Sequence, residues 1–479
     1  MSELKYEDQE WQKEMKISLD VNNMFAEQVG EEHGLTVKDV ESLEKRLLTA
    51  HEAIQEAKAA GEMGFMELPA GQQEVVEEIE ELVAARRGEF ENFVVLGIGG
   101  SALGAIALDT ALNPPYYKLD SATRETPRLF VPDNVDPARL ENLLATIDLE
   151  KTLFNVISKS GGTAETMSQF LIARDLVAQE LGSEKVAEHF IATTSRDSGN
   201  LIKIAKEEGM PTFYIPENVG GRFSVLSPVG LLPAAFCGID IKELLAGAEY
   251  MDQLCAKKEV WENPAYLNAT LQYLADQQGK SISVMMPYVH ALKDVADWYR
   301  QLWAESLGKE KDRNGQVVNV GPTPIKALGA TDQHSQVQLY MAGPYDKVIT
   351  LLAVEDYGAE MEIPKLYQDI EGVAYLGGNT LNELIQTERL ATELALTKNQ
   401  RLNCTITLPE VNEFTMGQLL YMFELQTAFA GELYNINAFN QPGVELGKAY
   451  TYGILGRSGF ADKKEEFEAR PEKDDGFIV

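Results

Sequence analysis

The sequence has few cysteines and histidines and lacks a long apolar run. Its 479 residues include three cysteines and five histidines, all widely separated. No two cysteines stand at the spacing of a zinc site or a redox motif, so we expect neither a metal centre nor a disulfide framework. No apolar run reaches the ~18 residues that a membrane-spanning helix needs. The acidic, polar N-terminus is unlike a signal or transit peptide. These absences predict a cytoplasmic protein without a bound metal.

Basic residues are also scarce. Against 75 acidic side chains there are only 42 lysines and arginines, which gives a formal net charge of −33. Such a surface repels nucleic acid and anionic membranes, because both are bound through lysine and arginine. We therefore expect neither as a partner. An anionic small molecule would have to be held by a local site that works against the overall field.

Short apolar strands alternate with helical stretches between about residues 93 and 235. This alternation predicts a parallel sheet covered by helices on both faces. The predicted strands are Phe93–Leu96, Leu129–Val131, Phe154–Ile157, Phe190–Ala192 and Phe213–Ile215.

A second block follows the same pattern. It has predicted strands at Ser281–Met286 and Lys347–Leu352 and a helix over Leu292–Leu307, and helical patterns dominate from Leu381 onward. The first 90 residues are charged and mainly helical, and the charge-rich C-terminus is expected to stay solvated. No motif in residues 309–330 can be interpreted. The sequence thus predicts two α/β lobes with helical additions.

The first predicted strand ends in a glycine-rich turn, GIGGSALG at residues 97–104. Glycines let the backbone approach an anion, and the following helix N-terminus offers unpaired N–H groups. The turn also fits a loose dinucleotide pattern, which favours an NAD-dependent dehydrogenase as an alternative. That pattern requires an acidic residue at the end of the next strand; Asp120 lies in a polar loop, and Asp133 lies too far along. The turn alone does not decide between three interpretations: a sugar-phosphate site, a nucleotide site and a purely structural turn between a strand and a helix.

The third predicted strand runs into SKSGGTAET, residues 158–166, and then into a helix. Four hydroxyl groups and several backbone amides gather at this junction. Neutral donors at a helix N-terminus bind a phosphate dianion without a basic cluster. The Walker pattern is absent, and helix capping would explain only one or two of the hydroxyls. The segment therefore predicts a phosphate site.

This hydroxyl-rich loop resembles the phosphate loop of the sugar-isomerase domain. Two longer segments, ENVGGRFS at 217–224 and FNQPGVELGK at 439–448, resemble the signatures of the glucose-6-phosphate isomerase family. With the two loops above they span about residues 95–450. The resemblance implies an α/β fold with two sugar-isomerase domains, each a mainly parallel sheet flanked by helices. We expect a helical extension at 1–60, these domains at 61–240 and 241–430, and a C-terminal segment at 431–479.

The resemblance also implies the reaction, an aldose–ketose isomerisation of glucose 6-phosphate and fructose 6-phosphate through an enediolate, without a cofactor or metal. Glu305 occupies the place of the family's general base. On a helix, Glu305 falls at the border of an apolar arc, on the side of Trp298 and one turn after Gln301. The residues alone favour an ordinary border glutamate, and the resemblance reverses that interpretation.

Three further residues would be catalytic by the same resemblance. Arg222 follows two glycines and would balance charge on the enediolate oxygens, an electrostatic role. His334 would take part in ring opening and would come from the neighbouring subunit, which implies a homodimer. Lys448 would move a proton during ring opening. The substrate-binding residues implied are Gly100, Ser101, Ser158, Lys159, Ser160, Thr163, Thr166, Gln301 and Gln441.

Three alternatives remain at this stage. One is the dehydrogenase. The second is a phosphosugar-binding regulator without activity, although such proteins usually lack the glutamate, arginine and lysine present here. The third is an isomerase that also, or only, accepts mannose 6-phosphate, because one hydroxyl's configuration depends on the fine placement of polar groups.

Overall fold

The computed structural model describes residues 4–119 and 124–479, so Asp120 lies outside the described residues. Its strands are β1 (Ser18–Asp20), β2 (Asn92–Leu96), β3 (Arg128–Phe130), β4 (Thr152–Ile157), β5 (Phe190–Thr194), β6 (Thr212–Tyr214), β7 (Ile282–Pro287), β8 (Lys309–Lys311), β9 (Val317–Val320), β10 (Thr323–Lys326), β11 (Lys347–Asp356) and β12 (Asn403–Glu410). Its α-helices are α1 (Gln9–Glu14), α2 (Ala26–Val29), α3 (Val37–Ser42), α4 (Glu44–Ala59), α5 (Gln73–Arg86), α6 (Leu103–Leu112), α7 (Pro137–Thr146), α8 (Ala164–Glu180), α9 (Val186–His189), α10 (Leu201–Glu208), α11 (Pro228–Phe236), α12 (Ile241–Leu254), α13 (Pro264–Gln277), α14 (Lys293–Leu307), α15 (Val337–Ala342), α16 (Glu371–Ala374), α17 (Leu381–Lys398), α18 (Glu413–Leu433), α19 (Glu445–Ile454) and α20 (Ala461–Glu468).

The first sheet has the strand order β3-β2-β4-β5-β6, and every pairing is parallel. Strands β2, β4 and β5 are buried along their whole length, as expected for strands covered on both faces. The predicted parallel sheet is confirmed, with strand ends within two residues of the prediction. Because the strands are parallel, their carboxyl ends share one edge, where the two glycine-rich loops lie.

The second sheet has the order β1-β12-β11-β7-β10. Strands β7, β10, β11 and β12 are parallel, whereas β1 joins β12 in the antiparallel sense. The N-terminal segment therefore supplies an edge strand as well as helices. The prediction that helices dominate after Leu381 missed β12. The strand contains the polar residues Asn403 and Thr405, so it does not read as an apolar run. Both residues are nevertheless buried, because each makes hydrogen bonds within the fold.

Helix α14 connects the two sheet units. Its predicted apolar arc is buried, with Val295, Tyr299 and Leu302 at most 2% exposed. It packs on α6, which follows the first sheet's β2, and on α18, β7 and β10 of the second unit. Side chains at its C-terminal end therefore lie where the two units meet. Among the described residues, none of the helices has the length and apolar character needed to cross a membrane.

Candidate active site

The first glycine-rich turn lies against the turn that contains Arg222. A Cβ atom placed on Gly100 would lie 2.2 Å from the carbonyl oxygen of Gly221 and 2.7 Å from the amide nitrogen of Arg222. The neighbouring Gly99 has a φ of 58° and faces the amide of Gln301. Only glycine permits this approach, so the turn serves as a backbone support for the arginine motif and for α14.

Arg222 is buried, with 4% of its surface exposed. Its Nε donates to Ser306 Oγ at 2.7 Å and its Nη1 to Gln441 Oε1 at 3.1 Å. Its Nη2 donates to the carbonyl oxygens of Ala438 and Asn440. Burial lowers the pKa of the guanidinium, and the nearby Glu305 opposes that change. A guanidinium held by four hydrogen bonds places a fixed positive charge at this point.

Glu305 lies beside this fixed charge. Its Oε1 is 3.7 Å from Arg222 Nη1, and its Oε2 accepts a hydrogen bond from Gln301 Nε2 at 3.1 Å. The Glu305 side chain keeps 26% of its surface exposed, whereas that of Arg222 keeps 3%. The structure thus brings together Glu305, Arg222, Gln301 and Gln441 as predicted, and it orients a carboxylate that can still reach a ligand.

The hydroxyl-rich loop joins β4 to α8. Ser158 Oγ lies 3.1 Å from Thr163 Oγ1 and accepts from the amide of Gly161, while Ser160 Oγ accepts from the amide of Gly162. Thr163 is the residue before α8, yet its side chain makes no capping bond to the helix. None of these hydrogen bonds caps the helix, so the first-turn amides of α8 stay available to an anion.

Two predicted phosphate-loop residues have other surroundings. Lys159 Nζ donates to the carbonyl oxygens of Glu217 and Val219, at 2.7 and 2.9 Å, and burial lowers its pKa. Its ammonium therefore fastens the phosphate loop to the segment that precedes Arg222. The buried Thr166 Oγ1 has no hydrogen-bond partner among the residues that the structure describes.

Lys448 and His334 have no direct contact with this cluster in the described part of the chain. Lys448 has an exposed side chain that pairs with Glu445 at 2.8 Å. Its helix, α19, does touch the phosphate loop, because the Tyr452 hydroxyl lies 3.4 Å from the carbonyl oxygen of Gly162. His334 is exposed in the turn Thr331–His334, and its ring makes no hydrogen bond to any described residue. Ser101 ends the turn over Gly99–Ser101.

The sequence reasoning missed two residues of this cluster. Ser306 holds the arginine, and Lys309 donates to the carbonyl oxygens of Glu305 and Ser306. In the sequence, a lysine just beyond a helix end indicates at most a weak helix cap, so nothing pointed to Lys309 as part of the site. Over residues 4–119 and 124–479, no three histidine, cysteine, aspartate or glutamate side chains are placed to share a metal ion.

Two mainly parallel sheets, a hydroxyl-rich loop at a helix N-terminus and a carboxylate beside a buried guanidinium define the class, that of the phosphosugar isomerases. The phosphoglucose isomerase family model matches residues 72–471. The chain belongs to the phosphoglucose isomerase family. It is an aldose–ketose isomerase, as the sequence predicted, and neither a dehydrogenase nor an inactive regulator.

Similar proteins and a similar solved structure support this family assignment. The glucose-6-phosphate isomerase of Carboxydothermus hydrogenoformans is 49% identical over 97% of this chain and 100% of its own length. That of Rubrobacter xylanophilus is 44% identical over 90% of this chain and 96% of its own. The crystal structure of a Chlamydia trachomatis glucose-6-phosphate isomerase superposes with a TM-score of 0.71 at 26% identity, over 83% of this chain and 76% of that one.

Proposed function

We propose that Glu305 is the base of the isomerisation of glucose 6-phosphate and fructose 6-phosphate, moving a proton between C1 and C2 of the open-chain sugar. The observation that supports this role is the carboxylate held between Gln301 and Arg222, with one face open. A carboxylate placed so can accept the proton next to the carbonyl and return it to the neighbouring carbon. General bases of this kind contribute about 10²–10⁴-fold in rate.

Arg222 would stabilise the enediolate that forms when the proton leaves. Its guanidinium is held by Ser306, Gln441 and two backbone carbonyls, so it needs no rearrangement when negative charge develops. Preorganised charge in a partly dry site is worth more than the same charge in water. Gly100 and Ser101 would add donors near the reacting carbons.

The phosphate group would occupy the loop over residues 158–166. Hydroxyl and amide donors there supply neutral hydrogen bonds at the positive end of α8. This remote contact would hold the substrate equally in its ground and transition states, with the open chain over Glu305. Lys159 would act indirectly, because its ammonium is bonded to carbonyl oxygens.

Ring opening would fall to Lys448 and to His334 of a second subunit. The exposed His334 lies apart from the cluster of its own chain, which supports a homodimer with shared sites. A further support is a stretch of exposed large apolar side chains that a partner subunit would cover: Met361, Leu366, Tyr367, Ile370, Val373 and Tyr375. We further propose that this dimer works in the cytoplasm, in glycolysis and gluconeogenesis.

The chemistry is tested by supplying fructose 6-phosphate with excess EDTA and following glucose 6-phosphate through a coupled dehydrogenase. Undiminished turnover in EDTA is expected, because none of the proposed steps uses a metal. A loss of turnover that is restored by a divalent cation would contradict this mechanism.

The shared site is tested by complementation. E305Q and H334A subunits, each inactive alone, are unfolded together and refolded as a mixture. If each site takes Glu305 from one chain and His334 from the other, one of the two sites in every mixed dimer is intact. Recovery of about a quarter of wild-type activity is then expected from random pairing. Absence of recovery in verified mixed dimers would show that each site is built from one chain.

A further inference from the structure

Lys309 is a buried cation directly behind the base. It begins β8, two residues after α14 ends, and only 7% of its surface is exposed. Its Nζ donates to the carbonyl oxygen of Glu305 at 2.8 Å and to that of Ser306 at 2.7 Å. Lysine is rarely buried to this extent without a specific set of partners.

The end of α14 explains why these two acceptors are available. The last carbonyls of a helix lack the amide partners that the interior has. The amide of Gly308 donates to the carbonyl oxygen of Ala304 at 2.9 Å, and the Lys309 ammonium donates to the next two carbonyl oxygens, those of Glu305 and Ser306. A single side chain therefore fixes the backbone of residues 305 and 306.

Both of these residues belong to the charge pair described above. Glu305 carries the carboxylate, and Ser306 Oγ receives the hydrogen bond from Arg222 Nε. A shift of this helix end would move the carboxylate and the guanidinium together. Displacements of about 1 Å at catalytic groups are enough to cost roughly 10²-fold in rate.

The charge of Lys309 interacts electrostatically with Arg222 and Glu305. The charged groups that face its ammonium are Arg222, from the turn Gly221–Phe223, and Glu305, from α14. Burial and the Arg222 charge lower the pKa of Lys309 to about 8, and Glu305 opposes them. Below that pH, two buried cations lie beside one carboxylate, which makes this point positive within a strongly acidic chain.

We propose that Lys309 is a positioning residue for the isomerisation: it locks the end of α14 that carries Glu305 and Ser306, and it supplies positive charge behind the site of the enediolate. This inference rests on the proposed roles of Glu305 and Arg222. The alternative is a helix cap that contributes to stability alone.

Two variants and one matched control separate these possibilities. K309M removes the charge and both hydrogen bonds, and K309R keeps a charge that does not titrate below pH 12. K280M is the control, because Lys280 is 6% exposed, donates to Gln278 Oε1 at 3.0 Å and has a pKa lowered by burial, but lies before the amino end of β7. The kcat and KM for fructose 6-phosphate, the pH dependence of kcat and thermal unfolding are measured for all.

The expected result is a fall in kcat of at least about tenfold in K309M with KM changed less than about threefold. K309R is expected to recover part of kcat and to move the high-pH limb of the profile upward, while K280M loses thermal stability but keeps kcat. A K309M kcat equal to that of K280M would overturn the proposal. Should K309M fail to fold, an unmoved high-pH limb in K309R would overturn it.

E305Q is assayed in parallel to keep the two claims apart. An active E305Q would refute the proposed base. An inactive E305Q together with a fully active K309M would refute only the role of Lys309.

Discussion

The guanidinium of Arg222 lies 3.7 Å from the carboxylate of Glu305, and the two come from different structural units. The arginine belongs to the loop that follows the first sheet, and the glutamate to helix α14, which follows β7 of the second sheet. The arginine makes four hydrogen bonds, so its position is fixed before a substrate arrives. The carboxylate has one side-chain donor and an open face. This asymmetry suits a stationary charge beside a group that must exchange a proton.

The phosphate loop should govern substrate affinity more than turnover. Thr163→Val keeps the shape of the side chain and removes the hydroxyl that lies 3.1 Å from Ser158 Oγ. We expect KM for fructose 6-phosphate to rise by at least about tenfold, because a hydrogen bond to a charged group contributes about 1.5–3 kcal/mol, with kcat changed little. The matched control is Ser168→Ala, which removes an exposed hydroxyl bonded within α8. Equal KM values in both variants would contradict the assignment of this loop.

Gly100 should be intolerant of the smallest side chain. Ala at this position places a Cβ atom 2.2 Å from the carbonyl oxygen of Gly221, so the turn that carries Arg222 must shift. We expect G100A to lower kcat/KM by about 100-fold, since misplaced catalytic groups have effects of that size. G88A is the control, because nothing lies within 4 Å of a Cβ atom there. A G100A enzyme as active as G88A would argue against a support role for this turn.

Glu424 should make stability depend on pH without contributing to the reaction. It is fully buried in α18, and neither carboxylate oxygen has a hydrogen-bond partner among the described residues. Burial raises its pKa well above the ordinary 4.5. The folded state therefore holds a proton that the unfolded chain releases, and stability falls as pH rises above 4.5.

The substitution Glu424→Gln removes the titratable group and with it this dependence of stability on pH. We expect the variant's free energy of unfolding to exceed that of the wild type at pH 7 and the difference to shrink as the pH falls towards 4.5. Urea denaturation at several pH values measures this difference. The control is Glu78→Gln on the exposed face of α5. A difference from wild type that stays constant with pH would contradict the buried, protonated state.

The fold was predictable where the chain alternates between fully apolar strands and helices. The strands of the first sheet, β7, β11 and helix α14 follow from this pattern. Strand β12 was missed because polar residues interrupt its apolar pattern; they are buried in the fold because they find hydrogen-bond partners there, such as Glu393 for Thr405. The pairing of β1 with β12 joins residues almost 400 positions apart, and no local pattern encodes it. The predicted domain limits stay a prediction.

Only the site residues that lie within recognisable sequence motifs could be predicted. Helical spacing placed Gln301 one turn before Glu305, and the structure joins them by a hydrogen bond. The partners of Arg222 are mostly backbone carbonyls and a serine, which carry no signal in the sequence. Lys309 was missed for the same reason, because its role depends on burial and on the end of a helix. The sequence also directed Lys159 to the phosphate, whereas its ammonium binds the segment before Arg222.

The most direct test of the account is the proton transfer by Glu305. E305Q and the control E310Q, which changes an exposed glutamate just beyond α14, are compared for turnover of fructose 6-phosphate and for exchange of its C1 proton with deuterated water. We predict that E305Q keeps its fold and binds the substrate but loses about 10²–10⁴-fold in both turnover and exchange, with E310Q unaffected. Turnover and exchange in E305Q at the rate of E310Q would contradict the central claim.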